Sequence, residues 1–219
     1  HLLSRRQRQM CIRDRDILRV KFLVGLFDEP YQTDLEGADK EVEKKENLEV
    51  ALQSSKESLV LLKNERNTLP LDISSIKKIA VCGPNADESG YALTHYGPLA
   101  VDVVTVLQGI KDKVKGKAEV LYAKGCELVD DNWPESELID YPLTETEKDE
   151  IDKAVADVKQ ADVAVVVLGG GQRTCGENKS RSSLDLPGRQ LDLLKAVYAT
   201  GKPVVLVSVS YTHLTLPTT

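Results

Sequence analysis

Several classes of protein are excluded by what this chain lacks. No apolar run approaches the ~20 residues that a membrane-spanning helix needs, so no span is expected. The cysteines form no CxxC, and no histidine stands at ligand spacing from them, so no metal site is expected. His95 is the one histidine outside the ends, and it is read as a surface or structural residue, with substrate contact the lesser alternative. GxGxxG is absent, and so is GxxxxGK followed by Ser or Thr. The turns VCGPNAD and LGGGQRTCGE carry glycines after apolar runs, but Pro84 removes an amide where a phosphate cradle would use one. A nucleotide site is therefore the rejected rival. Cys82 lies in an apolar run and reads as a small core residue, and the cysteine count does not decide the redox compartment.

The two ends are unlike the rest. HLLSRRQRQMCIRDR at the start is arginine-rich without apolar periodicity, and SYTHLTLPTT at the end is uncharged. Residues 1–15 and 209–219 resemble translated adapter read-through and are left out of the fold expectation. The single methionine, Met10, falls in that head, so the remainder is expected to be a piece of a longer protein. The head holds five arginines and Asp14, a net +4, which leaves −10 of the formal −6 for everything else. That acidic balance argues against nucleic acid and against anionic membrane surfaces as partners.

Apolar spacing orders the interior. Asp16–Pro30 begins with helical spacing through Ile17, Leu18, Phe22 and Leu23, and Gly25 and Pro30 end it. A second helical pattern runs from Asp39 to Asn64 among many Lys and Glu. Lys77–Gly83 reads as a buried strand, and Thr105–Val114 as a helix. Ala118–Ala123 reads as a strand, and Trp133–Pro142 as an acidic surface insert. Thr144 with Glu147 forms a capping box for a helix through Lys159, with Ile151, Ala154, Val155 and Val158 inward. Asp162–Leu168 is apolar almost throughout, as a doubly covered strand should be. Pro187 opens a helix that leads into Leu191, Leu194, Val197 and Tyr198, Gly201 ends it, and KPVVLVSV is a fourth strand. Strand alternating with helix predicts an α/β fold: a mostly parallel sheet, incomplete, with helices on both faces.

The richest stretch is Ala161–Gln190. An apolar strand breaks into Gly169, Gly170 and Gly171, and the loop that follows carries one acidic residue, Glu177, before Asp185 and Pro187. In open parallel sheets ligands bind outside the carboxyl ends of the strands, and a carboxyl group there suits acid/base chemistry. Set against this is a solvated loop carboxylate paired with Arg181. Arg173 and Arg181 can bind substrate or hold Glu177, and equally can be surface ion pairs. Asp185 is expected to cap the next helix, and Asn85 and Asp87 to form a turn with a lesser chance of lining a cleft.

Seven motifs in order carry a family resemblance: LRVKFLVGLFDEPY, SLVLLKNERNTLPL, IAVCGPNAD, TVLQGI, YAKGCE, CGENKSRSSLDLPGRQ and ATGKPVVLV. Together they resemble glycoside hydrolase family 3, the β-glucosidase and β-xylosidase group, over residues 16–208. The resemblance implies an N-terminal (β/α)8-type barrel, a linker and a C-terminal α/β sandwich domain. Residues 16–31 would be the end of the barrel domain, 32–73 the linker and first helix, and 74–208 most of the sandwich domain. It implies retaining hydrolysis of terminal β-D-glycosidic bonds, with an aspartate on the barrel as nucleophile and a sandwich-domain glutamate as acid/base. That glutamate's pattern, similar to G-E-G-x-D-R, stands here as Gly176-Glu177-Asn178-Lys179-Ser180-Arg181, with Asn178 and Ser180 departing from it. The nucleophile's motif is absent. The implied partners are a β-linked oligosaccharide or glycoside and the barrel domain of the same parent, with no cofactor. Members often work outside the cytoplasm, but no residue here shows export.

The chemistry adds a condition. An acid must hold its proton until the glycosidic oxygen needs it. Arg173, Lys179 and Arg181 stand near Glu177 in sequence and favour an ionised carboxylate. A buried cleft wall or the nucleophile's charge, both from the barrel side, would have to outweigh them. The alternative reading is a non-catalytic carbohydrate-binding or packing domain.

Overall fold

The computed structural model describes residues 2–28, 35–42, 44–90 and 103–209. The chain divides into two compact units, residues 1–63 and 64–219.

The first unit is helical. α1 (Leu2–Leu23), α2 (Leu35–Val42) and α3 (Lys45–Glu57) follow one another. α1 runs back through the arginine-rich head, which spacing alone leaves without structure. Leu, Arg, Gln and Met are good helix formers, and neither Gly nor Pro interrupts the segment before Gly25. At Gly25 φ is +71°, in the left-handed region where glycine is at ease. The single helix expected over Asp39–Asn64 is instead two helices, and Ser58–Lys63 lies outside both. Serines end α3. Ser55 Oγ donates to Ala51 O at 2.9 Å and Ser58 Oγ to Ser55 O at 2.8 Å, which competes with the helical ladder. Ile17, Leu18, Phe22, Leu48 and Leu52 are all exposed.

The second unit is a four-stranded parallel sheet, β1 (Lys78–Cys82), β2 (Glu119–Ala123), β3 (Val163–Gly169) and β4 (Val204–Val209), in the order β2-β1-β3-β4. Register pairs Ile79 with Val120 and Val163, and Ala164 with Val204. Side chains alternate across the sheet, so each strand feeds two cores. Ile79, Val81, Val163, Val165 and Val167 meet Leu107 and Val114 of α4 (Val106–Val114) on one face. Ala80, Cys82, Ala164, Val166 and Leu168 meet Ile151, Ala154 and Val158 of α5 (Glu145–Gln160) and Leu193 and Val197 of α6 (Gln190–Tyr198) on the other. Helices thus cover both faces, and β3, buried at every residue, is the apolar run it has to be. Leu71, Ile73 and Ile76, just before β1, pack on the α4 face.

The caps follow from sequence. Thr105 accepts from the Gln108 amide at 3.1 Å to start α4. Thr144 and Glu147 close the capping box of α5, at 3.2 Å and 2.8 Å. α6 departs from expectation. Its first residue is Gln190, three beyond Pro187, because the chain first turns at Gly188, where φ is +57°. A Cβ on Gly188 would stand 2.8 Å from Val129 Cα, so the close approach requires glycine. Leu193 and Val197 are buried with Gln190, while Leu191 and Tyr198 face solvent.

Candidate active-site loop

The site is built at the carboxyl edge of the sheet. β1 leads through α4 to β2 on one side, and β3 leads through α6 to β4 on the other. The order reverses between β1 and β3, which is where ligands bind in open α/β sheets. The loops leaving these two strands touch there. Asn85 Nδ2 donates to Gly170 O at 2.7 Å. Asn85 is buried, and its Oδ1 has no hydrogen-bond partner among the described residues. A Cβ on Gly83 would stand 2.1 Å from Val167 O, so only glycine lets β1 leave so close to β3.

The root of the loop after β3 is held on all sides. Gly169 turns with φ +144°, and a Cβ there would stand 1.8 Å from Val209 O. Gln190, fully buried, grips that residue. Its Oε1 accepts from Gly169 N at 2.7 Å, and its Nε2 donates to Gly169 O and to Leu128 O, both at 2.9 Å. A buried amide satisfied this way acts as a short neighbouring strand. Thr174 then closes the next turn. Its Oγ1 accepts from Gly171 N at 2.9 Å, and Gly171 O accepts from Thr174 N and Cys175 N at 2.9 and 3.0 Å. Gln172 Nε2 donates to Gly90 O, a second tie to the segment after β1.

Glu177 is at the tip. Gly176 has φ +129° and Asn178 has φ +63°, and Lys179 N donates to Gly176 O at 3.1 Å, which closes a tight turn around Glu177. Glu177 is exposed, and so is Arg173.

The return limb is stapled to the acidic insert. Arg181 Nε donates to Glu137 Oε1 at 2.8 Å and Nη2 to Asp185 O at 2.6 Å. The Ser182 amide and hydroxyl both donate to Glu137 Oε2 at 2.9 Å. The guanidinium also lies 5.6 Å from the Trp133 ring centroid. The Glu137 side chain is 10% exposed in this pair. Burial pushes its carboxyl up, but the Ser182 amide, the Arg181 guanidinium and the Ser182 hydroxyl outweigh burial and hold its pKa below the usual glutamate value. A second staple stands beside α5. Arg189 Nε donates to Glu147 Oε1 at 2.9 Å, and its other nitrogens reach Tyr141 O and Pro142 O at 2.9 and 3.2 Å. Burial opposes ionisation of Glu147, and the Thr144 amide with Arg189 overcomes it, so this pKa is lowered too.

The staples join residues far apart in the chain. Arg181 pairs with Glu137, 44 residues earlier. Asp185 does not cap α6; its carboxylate accepts from Ser183 Oγ at 2.7 Å, and α6 begins five residues further on. Asp87 accepts from Thr105 Oγ1 at 2.7 Å and so supports the start of α4. His95 lies outside the described residues. Thr174 and Glu137 carry no chemical motif that singles them out in the sequence, and Gln190 stands there only as the last residue of CGENKSRSSLDLPGRQ. Cys82 is the core residue expected, its thiol pushed up to about 12 by burial and then by Asp157, and burial raises Cys126 as well. No group of three or more His, Cys, Asp or Glu among the described residues could hold a metal ion.

The comparisons with known proteins agree with this architecture. Residues 59–219 match the glycosyl hydrolase family 3 C-terminal domain, across the tail that composition sets apart. The chain is 37% identical over 201 residues to a β-xylosidase of Formosa agariphila, covering 89% of this chain and 25% of that protein. It is 38% identical over 207 residues to a periplasmic β-glucosidase of Salmonella typhimurium, covering 88% and 26%. Among solved structures, a β-glucosidase from Erythrobacter marinus superposes with a TM-score of 0.72 at 32% identity, covering 88% of this chain and 27% of that one. An intestinal bacterial β-glucosidase involved in saponin metabolism gives 0.74 at 30% identity, covering 89% and 28%. The chain spans about a quarter of the length of these relatives. It belongs to glycosyl hydrolase family 3 and carries that family's C-terminal domain.

Proposed function

We propose that this chain supplies the acid/base side of the cleft in a longer, retaining β-glycosidase that cleaves terminal non-reducing β-D-glycosidic bonds. The single observation that carries this reading is Glu177 at the tip of a tight turn whose root and return limb are both pinned, at the reversal point of a parallel sheet. A free-hanging glutamate would not keep the alignment that proton transfer requires.

In this reading Glu177 donates its proton to the leaving glycosidic oxygen while a carboxylate from the barrel domain attacks the anomeric carbon. Glu177 then removes a proton from the water that releases the glycosyl-enzyme. Retaining enzymes hold these carboxyl groups ~5–5.5 Å apart. The barrel wall supplies the burial and negative charge that keep the acid protonated. Arg173, exposed on the same loop, binds sugar hydroxyls. Arg181, committed to Glu137 and Asp185, holds the Glu177 loop.

The test is Glu177→Gln in the full-length enzyme. Rates on substrates with poor leaving groups should fall by ~10²–10⁴-fold. Substrates with good leaving groups should suffer less, and azide should restore part of their turnover. Unchanged rates would mean that another group donates the proton. The exposure of Glu177 suits a second reading, a non-catalytic packing or carbohydrate-binding domain; that reading predicts equal, small effects on every substrate.

A further inference from the structure

We propose that Gln190 and Asn85 form an amide clamp that positions the Glu177 loop, a role that rests on Glu177 being the proton donor. The two amides grip consecutive residues. Gln190 takes both polar groups of the Gly169 backbone, and Asn85 takes the carbonyl of Gly170. They reach the loop root from different elements, α6 and the turn after β1, so the root cannot swing toward either face without breaking one of them. Gln190 also fixes Leu128 of the segment after β2, and that segment leads to the insert holding Arg181. The root and the return limb thereby share one frame.

Stability alone is a poor account of Asn85. Among the described residues its Oδ1 is buried without a partner. An orphaned buried acceptor is unfavourable, and an apolar side chain of similar shape would avoid it. What such a side chain could not do is donate to Gly170 O. Between Gly169 and Cys175 the backbone is tied at Gly169, Gly170, Gly171, Thr174 and Cys175, and Glu177 follows two residues later. Small errors at the root therefore reach the tip almost undamped.

The experiment uses the full-length enzyme with phenyl and dinitrophenyl β-D-glucosides or β-D-xylosides, whichever series turns over faster. Gln190→Glu keeps the acceptor for Gly169 N but sets a carboxylate against two carbonyls, and Asn85→Ala removes the donor to Gly170 O. Phenyl glycosides need the proton and dinitrophenyl glycosides barely do. Each variant should lose roughly tenfold or more on the phenyl substrate and under about threefold on the dinitrophenyl one, since a misplacement near 1 Å has effects of this order. Equal losses on both substrates would mean a merely structural role and would overturn the clamp. If Gln190→Glu does not fold, Asn85→Ala, which removes a single hydrogen bond, decides alone. Glu177→Gln in the same series separates the two failures. A steep Glu177→Gln with flat clamp variants sinks the clamp alone, and a flat Glu177→Gln removes both.

Discussion

α5 and α3 are alike in sequence character and opposite in circumstance. Both are rich in Glu and Lys with an apolar residue every three or four positions. α5 buries Ile151, Ala154 and Val158 against the sheet, whereas no residue of α3 is buried and Leu48 and Leu52 face solvent. Apolar spacing forms a helix in both. Only a covered face turns it into stability, since most helical stability in proteins comes from packing. α1 follows α3, with Ile17, Leu18 and Phe22 exposed. The first unit thus carries helices with exposed apolar residues, and the second a sheet covered on both faces.

The largest test of that contrast is activity itself. This chain, purified alone, should hydrolyse no aryl β-glycoside at a measurable rate, because the proposed second carboxyl group is not on it. Clear turnover would break the split-site account. Hydrogen exchange should show the next difference. Amides of β1 and β3 should exchange only on global opening, and those of α1 and α3 within the first time points. Equal protection in both units would mean that the first has found cover. Single substitutions sharpen the contrast further. Leu193→Ala, at a fully buried position, should destabilise by about 2–5 kcal/mol. Leu52→Ala, exposed on α3, should stay within about 0.5 kcal/mol in the same urea titration.

The smallest effect is a pH dependence confined to the sheet unit. Glu137 and Glu147 have pKa values lowered in the folded state. Their contribution is therefore whole above the unfolded value of ~4.3 and disappears as pH falls through the lower native values. Melting temperature should drop on acidification below that range, and Glu137→Gln should flatten part of the drop. A Glu137→Gln profile parallel to the wild type would remove Glu137 from the account.

Much of the sheet unit was legible because its signals are local. A run of Val and Ala bounded by charge and glycine reads as a buried strand, and Thr144 with Glu147 as a helix start. Failures came where a residue's fate is decided at a distance. In α6, Leu191, Leu193 and Leu194 offer overlapping apolar faces; Leu193 is buried, Leu194 packs partly buried on the same core, and Leu191 faces solvent. Gln190 reads as an ordinary polar helix residue until Gly169 and Leu128, 21 and 62 positions away, arrive beside it. Arg181 sits four residues from Glu177 in sequence and answers instead to an acid in the insert.

That last pairing changes the standing of Trp133–Pro142. As a solvent-facing excursion it would be free to drift in length and composition. With Glu137 taking three donors from Arg181 and Ser182, it is tied to the strap that presents the proposed proton donor. Deleting a few of its residues would leave a guanidinium without its counter-charge and slacken the strap from its far end, though no atom near the sugar had been altered.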